Sequence, residues 1–246
     1  EGNVQLIEDS VAYLVDHGRE VVYDAEHFFD GYKADAAYAV ETLQAAERGG
    51  ARILVLCDTN GGTLTSEMGE IIADVKTIIG IPFGIHTHND SGVGVANALA
   101  AVELGAEQVQ GTFNGYGERC GNANLCSILP NLELKMGYET VGAEKLVELM
   151  GFSRFLSEIA NVYHDHRQPF IGESAFAHKG GAHVDGVMKV AHSFEHIEPE
   201  QVGNERRFLV SDQSGGATIV SKLQRFLPEI DKQDSLVAKV LERVKQ

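Results

Sequence analysis

The stretch FGIHTHNDSGVGVANALAAVELGA (residues 83–106) decides the fold. An apolar run ends in two histidines, His86 and His88, and a long pattern of Ala, Val and Leu follows. An apolar strand followed by a helix of this length is typical of one unit of a parallel sheet. Residues two apart in a strand point to the same face, so the two imidazoles project together while Thr87 points away.

The same strand–helix unit recurs along the first half of the chain. Predicted strands cover residues 20–26, 51–60, 81–90 and 106–117, and predicted helices cover residues 3–17, 34–48, 65–79 and 92–104. The strands are near-continuous apolar runs, which indicates parallel strands covered on both faces. From residue 143 onward the pattern is mostly helical. The sequence therefore predicts an α/β fold, the C-terminal half of a (β/α)8 barrel over residues 1–142, followed by an α-helical region over residues 143–246.

Polar residues stand at the carboxyl end of each predicted strand, among them Asp24, Asp58 and Asn114. Barrel enzymes carry their working residues at this end, and a doubly wound sheet also places its ligand there. No G-x-G-x-x-G follows the first strand, which weakens a dinucleotide-binding interpretation.

Composition and charge exclude several classes of protein. The 246 residues are 43% apolar and 23% charged, as in folded soluble chains, and no apolar run reaches the ~18 residues of a membrane span. The net charge of −16 argues against nucleic acid or an anionic membrane as partner. Three cysteines without a C-x-x-C motif indicate reduced thiols in a cytoplasmic protein. A polar, acidic start without Met is no secretory signal, and we expect the chain to be a piece of a longer one.

The His86–His88 pair has two interpretations. Two imidazoles on one face at a strand end make half of a divalent-metal site, or they are simply hydrogen-bonded at a barrel rim. Carboxylates and amides at the neighbouring strand ends favour the metal. His164 and His166 have the same spacing but end a helical pattern, where residues two apart do not share a face, so they are predicted to be solvated.

Two glycine-rich segments remain. AFAHKGGAHVDG (175–186) is predicted to be a loop that carries His178 and His183; loops often carry function, although a single loop histidine is more often merely exposed. NGYGERCGNANL (114–125) is a weak phosphate cradle because no Gly-Lys-Ser/Thr follows. Its glycines permit close backbone approach, and its Asn122 can offer an amide oxygen to the histidine pair.

Together these segments carry a family resemblance. FGIHTHNDSGVGVA, LCDTNGGT (56–63), NGYGERCGNANL and AFAHKGGAHVDG resemble the 2-isopropylmalate, homocitrate and citramalate synthase family of the DRE-TIM metallolyase superfamily. YDAEHFFDGYK (23–33) and QVQGTFNGYGERCGNANLCSI are most similar to the citramalate synthase branch. The resemblance covers nearly the whole chain and implies a (β/α)8 barrel followed by helical subdomains.

The resemblance implies roles for ten residues. His86, His88 and Asn122 would bind a divalent metal (Mg, Mn or Zn), and Thr59, Asn60, Asn114 and Glu118 would contact a 2-oxo acid. His183 would transfer protons with Asp185 nearby, and Glu26 would lie close to the reacting groups. The implied reaction condenses acetyl-CoA with pyruvate to (R)-citramalate and CoA, in a homodimer.

Two departures limit that expectation. The Asp-Arg pair that opens the first barrel strand in the family is absent, and Phe194 stands where the family often has a Tyr about ten residues after the catalytic His. We therefore expect this chain alone to be nearly inactive, and its open sheet edges to pair with another copy or to make it poorly soluble. A 2-isopropylmalate or homocitrate synthase, a lyase or aldolase of the same superfamily, and a non-catalytic metal-binding fragment stay open as alternatives.

Overall fold

The computed structural model describes residues 2–245 and divides the chain into two compact units. Residues 1–132 form the first, called here the sheet unit, and residues 133–246 form the second, called the helical unit. The units part after Leu132, and a domain boundary after residue 142 stays a prediction. The carboxylate of Glu133 accepts hydrogen bonds from the N–H groups of Val141 and Gly142, so the intervening segment folds on itself.

Four parallel strands form the sheet in the order β1-β2-β3-β4. They are β1 (Val22–Ala25), β2 (Ile53–Asp58), β3 (Phe83–Thr87) and β4 (Gln108–Gln110). The register aligns Cys57, His86 and Gln110 side by side, so these three side chains share one face. The predicted half-barrel arrangement of four βα units is confirmed.

Helices separate the strands of the sheet unit. They are α1 (Gly2–Asp16), α2 (Phe28–Ala34), α3 (Ala36–Arg48), α4 (Thr65–Val75), α5 (Gly94–Glu103) and α6 (Leu125–Leu134), which crosses the unit boundary. Asp35 begins α3 because its side chain accepts the N–H of Tyr38, and Gly49 ends it. In α4, Met68, Ile71, Ile72 and Val75 are buried at helical spacing.

The core of the sheet unit is the apolar run of its strands. Leu54, Val55, Leu56 and Ile85 are fully buried, as expected for parallel strands covered on both faces. The side chains of Asp58 and Thr87 point away from the face of His86 and are buried too. Asp58 Oδ1 accepts from Thr63 Oγ1 at 2.9 Å, and Thr87 Oγ1 donates to the carbonyl of Gly94 at 2.8 Å.

Two segments of the sheet unit differ from the predicted elements. Helix α2 occupies a stretch for which the sequence predicts no helix or strand, because Phe28 and Phe29 bury their rings there and hold about two turns in place. The fourth strand ends at Gln110 rather than at residue 117, because the chain turns through a 3-10 helix at Phe113–Gly115.

The helical unit contains five α-helices and a two-stranded parallel sheet within its described residues. They are α7 (Ala143–Leu146), α8 (Leu149–Ala160), β5 (Ala177–His178), α9 (Gly181–Lys189), β6 (Arg207–Phe208), α10 (Gly216–Leu223) and α11 (Ser235–Val244). Ile219, Val220, Ile230 and Val237 pack together as a core between α10 and α11. The mostly helical character predicted from residue 143 is confirmed.

The prediction of a loop at residues 175–186 is wrong. His178 lies buried in β5, and His183 lies in the first turn of α9. The glycines that suggested a loop allow close packing instead: a Cβ on Gly181 would come within 2.7 Å of the backbone nitrogen of Gly215. His183 is therefore fixed by a helix rather than by a mobile loop.

The prediction that His164 is solvated is also wrong. Helix α8 ends at Ala160, and the chain then turns back so that Nε2 of His164 lies 3.3 Å from Oγ of Ser153. His164 is half-buried, and this burial, followed by the charge of Arg154, lowers its pKa. His166 is exposed, as predicted.

Candidate functional site

The two histidines lie side by side at the end of β3. Their ring centroids are 5.3 Å apart with an interplanar angle of 21°, and both side chains are half-buried. His86 belongs to the strand, and His88 forms an isolated antiparallel bridge with Asn122 just beyond it. The expectation that the imidazoles share a face is confirmed.

A chain of hydrogen bonds runs across the sheet through His86. Nε2 of Gln110 donates to Oδ1 of Asp24 at 2.9 Å, and its Oε1 lies 2.8 Å from Nδ1 of His86. On the other side of the ring, Nε2 of His86 lies 2.8 Å from Oδ1 of Asn122. Nδ2 of Asn122 donates to the carbonyl of Tyr116 at 3.1 Å. Both amides are thus oriented by their outer partners, with an oxygen toward the imidazole.

This orientation gives His86 an oxygen acceptor at each ring nitrogen. A neutral imidazole has one N–H, and donating it to Gln110 leaves the Nε2 lone pair facing the Asn122 oxygen. In the other tautomer, Nε2 donates its N–H to the Asn122 oxygen at 2.8 Å, and Nδ1 faces Gln110 with its lone pair. In the first tautomer, the Nε2 lone pair of His86 and the amide oxygen of Asn122 are nitrogen and oxygen donors that would hold a divalent metal.

His88 supplies a second imidazole beside His86. Its Nδ1 is buried and has no hydrogen-bond partner within residues 2–245. Burial lowers its pKa first, with the neighbouring His86 and Arg119 adding to the shift. A neutral imidazole with an unsatisfied buried nitrogen fits a metal ligand. Within the same residues, no three His, Cys, Asp or Glu side chains cluster as metal ligands, so the fitting donors are two imidazoles and an amide.

The glycine-rich segment brings Asn122 to the histidines. Its backbone is tied to β3 by hydrogen bonds from Asn89 N–H to the carbonyl of Gly121 and from Ala123 N–H to the carbonyl of Thr87. Gly121 has φ +88°, and a Cβ there would come within 1.9 Å of the carbonyl oxygen of Gly115. Close approach of backbone to backbone is thus the physical reason for glycine at residue 121.

An ion pair lies beside the site. Arg119 Nε donates to Asp90 Oδ1 at 2.8 Å, and its Nη2 donates to the carbonyl of Thr59 at 2.6 Å. The hydrogen bond from Arg119 lowers the pKa of Asp90. Glu118 Oε2 lies 3.8 Å from Arg119 Nη1 with 86% of its side chain exposed, so it adds little to this pair.

The residues predicted to contact the 2-oxo acid differ in their surroundings. Thr59 Oγ1 accepts the N–H of His27 at 2.7 Å and keeps its own proton for donation. Asn60 Nδ2 donates to Asp30 Oδ2 at 2.7 Å, which turns it toward α2. Asn114 adopts the left-handed conformation, and its Oδ1 accepts from the thiol of Cys126 at 3.5 Å. Glu26 is exposed in the turn after β1.

In the helical unit, His183 lies against an aromatic ring. Its imidazole stacks on Phe194 with centroids 4.5 Å apart and an interplanar angle of 27°. Asp185 accepts from Lys189 at 2.7 Å and from Lys232 at 2.9 Å, and these hydrogen bonds lower its pKa to about 2. Asp185 is therefore ionised at neutral pH and holds α9 to the segment before α11.

A buried ionic cluster lies next to Phe194. His178 Nε2 lies 2.8 Å from Glu195 Oε1, and Arg206 donates to the same carboxylate from Nε at 2.8 Å and from Nη2 at 2.5 Å. Burial alone raises the pKa of Glu195, but the hydrogen bonds from Arg206 and His178 outweigh it and lower the pKa. The carboxylate clamps β5 to the residue before β6.

Gln110 is a site residue that the sequence pattern did not reveal, and Asp24 stood out there only as a polar residue at a strand end. They fix one ring nitrogen of His86, as carboxylates and amides behind metal-binding histidines do. A signal was present in β4, where Gln108 and Gln110 interrupt a sheet otherwise built of apolar strands.

The fold is a four-stranded half-barrel with a histidine pair at the end of one strand. Two family models match the chain. A model described as HMGL-like matches residues 2–152, and one described as homocitrate synthase post-HMGL domain-like matches residues 170–246. The chain belongs to the HMGL-like family, and its resemblance to the 2-isopropylmalate, homocitrate and citramalate synthases is confirmed.

Particular relatives share this sequence over its whole length. The (R)-citramalate synthase of Geobacter sulfurreducens is 52% identical over 100% of this chain and 47% of the relative. That of Synechocystis is 50% identical over 99% of this chain and 46% of the relative. A probable 2-isopropylmalate synthase of Methanopyrus kandleri is 39% identical over 95% of this chain and 46% of the relative. The chain thus spans about half the length of the curated relatives that it matches.

Solved structures share the fold at lower identity. The N-terminal domain of a putative aldolase from Bacteroides vulgatus matches with a TM-score of 0.54 and 22% identity, over 65% of this chain and 53% of that one. None of the helices described here is both long and apolar enough to cross a membrane.

Proposed function

We propose that this chain supplies one wall of the active site of an acyl-CoA-dependent condensing enzyme of the (R)-citramalate synthase type. The observation that carries the proposal is the identity of 50–52% to two curated (R)-citramalate synthases over the whole chain. The arrangement of His86, His88 and Asn122 supports it, because these donors fit a divalent metal of the kind such a condensation uses (Mg, Mn or Zn).

The proposed reaction joins acetyl-CoA and pyruvate. A base takes a proton from the acetyl methyl group, and the carbon that loses it attacks the keto carbon of pyruvate. The new C–C bond leaves an alkoxide that takes up a proton, and water then cleaves the thioester to release citramalate and CoA. A divalent metal, when bound by His86, His88 and Asn122, would polarise the keto group.

Within the sheet unit, Asp24 and Gln110 hold the imidazole of His86 so that Nε2 points to Asn122. Thr59 is the strongest of the four predicted substrate contacts, because its hydroxyl proton stays free to donate to a carboxylate. The amides of Asn60 and Asn114 already have partners. Roles for these two residues, for Glu118 and for Glu26 stay predictions.

In the helical unit, His183 is the proposed proton-transfer group, since imidazole is the side chain most often used for that purpose. Phe194 has no hydroxyl to exchange a proton, so its contribution is to hold the ring of His183 by stacking. Asp185 stays paired with two lysines, which favours a role in orienting α9 over one in proton transfer.

The test measures thiol release from acetyl-CoA with pyruvate, 2-oxoisovalerate or 2-oxoglutarate as the second substrate. The chain is assayed alone and joined to the preceding barrel half of the Geobacter sulfurreducens relative. We expect activity with pyruvate only in the joined protein, and its loss in the His86→Ala variant of that protein. A preference for one of the other 2-oxo acids would favour a 2-isopropylmalate or homocitrate synthase.

Two further outcomes decide the remaining alternatives. Cleavage of citramalate by the joined protein, without condensation, would favour a lyase or aldolase. Metal binding by the chain with no activity in the joined protein would leave a non-catalytic metal-binding fragment. Turnover by the chain alone would show that the four strands suffice.

A further inference from the structure

A groove of about 490 Å³ lies in the helical unit between β6 and α10. Four of its lining residues are cationic: Arg206, Arg207, Lys222 and Arg225. Phe208 and Leu209 add an apolar wall. Grooves of this volume are in the range that takes a small organic molecule rather than a bare ion.

The cations on the two walls differ in their partners. On the wall next to β6, Arg206 is paired with Glu195 and Glu198, and Arg207 with Glu205. On the wall of α10, neither Lys222 nor Arg225 forms an ion pair or a side-chain hydrogen bond within the part of the chain that the structure describes. Two uncompensated positive charges therefore remain in the groove.

The charge of the whole chain makes this concentration unusual. The sheet unit has 6 Lys and Arg against 19 Asp and Glu, a net charge of −13. The helical unit has 14 against 17, a net charge of −3. Four cations thus line one groove in a protein whose net charge is −16. The end of a helix favours a cation, which accounts for Lys222 near the end of α10 but not for the arginines on the opposite wall.

We propose that this groove binds the phosphate group of a small organic molecule. A phosphate dianion matches the two unpaired charges, and an arginine fork such as that of Arg225 binds phosphate through paired hydrogen bonds. Phe208 and Leu209 would contact the organic part. The phosphate source is either a CoA thioester, which carries a phosphorylated adenosine, or another phosphorylated metabolite.

The experiment measures equilibrium binding by calorimetry, without turnover, so it does not depend on the proposed reaction. The probes are 3′,5′-ADP, CoA, pantetheine and inorganic pyrophosphate. We expect 3′,5′-ADP to bind and the double variant K222A/R225A to weaken it about tenfold or more, as loss of charge-assisted hydrogen bonds does. Pantetheine, which lacks phosphate, is expected not to bind.

The matched control is K239A/R243A, two exposed cations of α11 outside the groove, which changes the net charge by the same amount. It should bind 3′,5′-ADP within about twofold of the parent chain. The conservative variant K222R keeps the positive charge and should retain binding of 3′,5′-ADP. Retained binding would show that the loss in K222A/R225A comes from lost charge and not from a disturbed fold.

The outcomes separate the two phosphate sources. If K222A/R225A binds both CoA and 3′,5′-ADP more weakly than the parent chain does, the phosphate source is a CoA thioester. If K222A/R225A binds pyrophosphate more weakly than the parent chain does, and CoA does not bind at all, the phosphate source is another phosphorylated metabolite. Absence of binding by every phosphate probe at millimolar concentration overturns the proposal. Equal losses in K222A/R225A and K239A/R243A also overturn it, because the effect would then reflect net charge alone.

Discussion

His86 is the residue at the centre of the candidate site, because it has an oxygen at both ring nitrogens. One oxygen belongs to Gln110, which is itself held by Asp24, and the other belongs to Asn122. The sequence spacing places the two histidines on one face, but it does not show which amides turn toward them. That depends on the register of β3 with β4, which pairs His86 with Gln110.

At the residue scale, replacing Gln110 should weaken metal binding without removing a ligand. In Gln110→Ala, Nδ1 of His86 loses its acceptor, and the ring is free to turn away from Asn122. Loss of such an outer partner typically costs about 10–100-fold in metal affinity. Titration of the chain with Mn²⁺ or Zn²⁺ by calorimetry measures the change.

The control is Gln108→Ala, two residues earlier on the same strand and not hydrogen-bonded to His86 in the described chain. We expect it to bind metal like the parent, and His86→Ala not to bind measurably. Equal affinity of Gln110→Ala and the parent chain would show that the hydrogen bond is not needed to hold the ring.

At the scale of elements, the sequence predicts the βα units because their signals are local. Three of the four predicted strand–helix pairs lie close to their observed positions. The signals that predict them are apolar runs, helix-ending glycines and 3.6-residue periodicity. It misses α2 because Gly31 and polar residues interrupt a short stretch whose helix depends on burial of Phe28 and Phe29. It also misses α9, since the glycines beside His183 serve close packing between segments far apart in sequence.

The clamp formed by Glu195 offers a test at this scale. Its carboxylate is 1% exposed and bonded to both His178 and Arg206, so Glu195→Ala leaves Arg206 without its main partner. Removing one partner of a buried ion pair costs about 3–5 kcal/mol, because the other charge is left buried without compensation. We expect a loss toward the lower end of that range in the free energy of unfolding of the helical unit, since Arg206 is partly exposed. Urea unfolding measures it.

The pH dependence of that loss follows from the lowered pKa of Glu195. A lowered folded-state pKa contributes stability that is complete above the unfolded pKa of about 4.3 and is lost as pH falls through the folded value. The difference between the parent and Glu195→Ala should therefore be full at neutral pH and shrink in acid. The matched control is Glu200→Ala, an exposed carboxylate nearby. A loss in that control equal to the loss in Glu195→Ala would contradict the clamp.

At the scale of the molecule, the sheet has two free edges among its described residues. β1 pairs only with β2, and β4 pairs only with β3. Unpaired strand edges favour association with another chain. We predict that the chain forms dimers or larger species at tens of micromolar, and that Val22→Lys on the edge strand shifts it toward monomer, as measured by light scattering.

The matched control for that experiment is Leu6→Lys, which adds the same charge at an exposed apolar residue of α1, outside the sheet. It should not change the assembly state. A parent chain that stays monomeric across the concentration range would contradict association through the edges.

The uneven charge of the two units also bears on how the molecule responds to its medium. Carboxylates outnumber cations by 13 in the sheet unit and by 3 in the helical unit. Like charges on a compact body repel each other and raise the free energy of its folded state. Dissolved ions screen this repulsion over about 10 Å at 0.1 M ionic strength. Added salt therefore stabilises the folded state of the sheet unit, with its histidine pair, more than that of the helical unit. In dilute buffer the sheet unit is the first to lose stability.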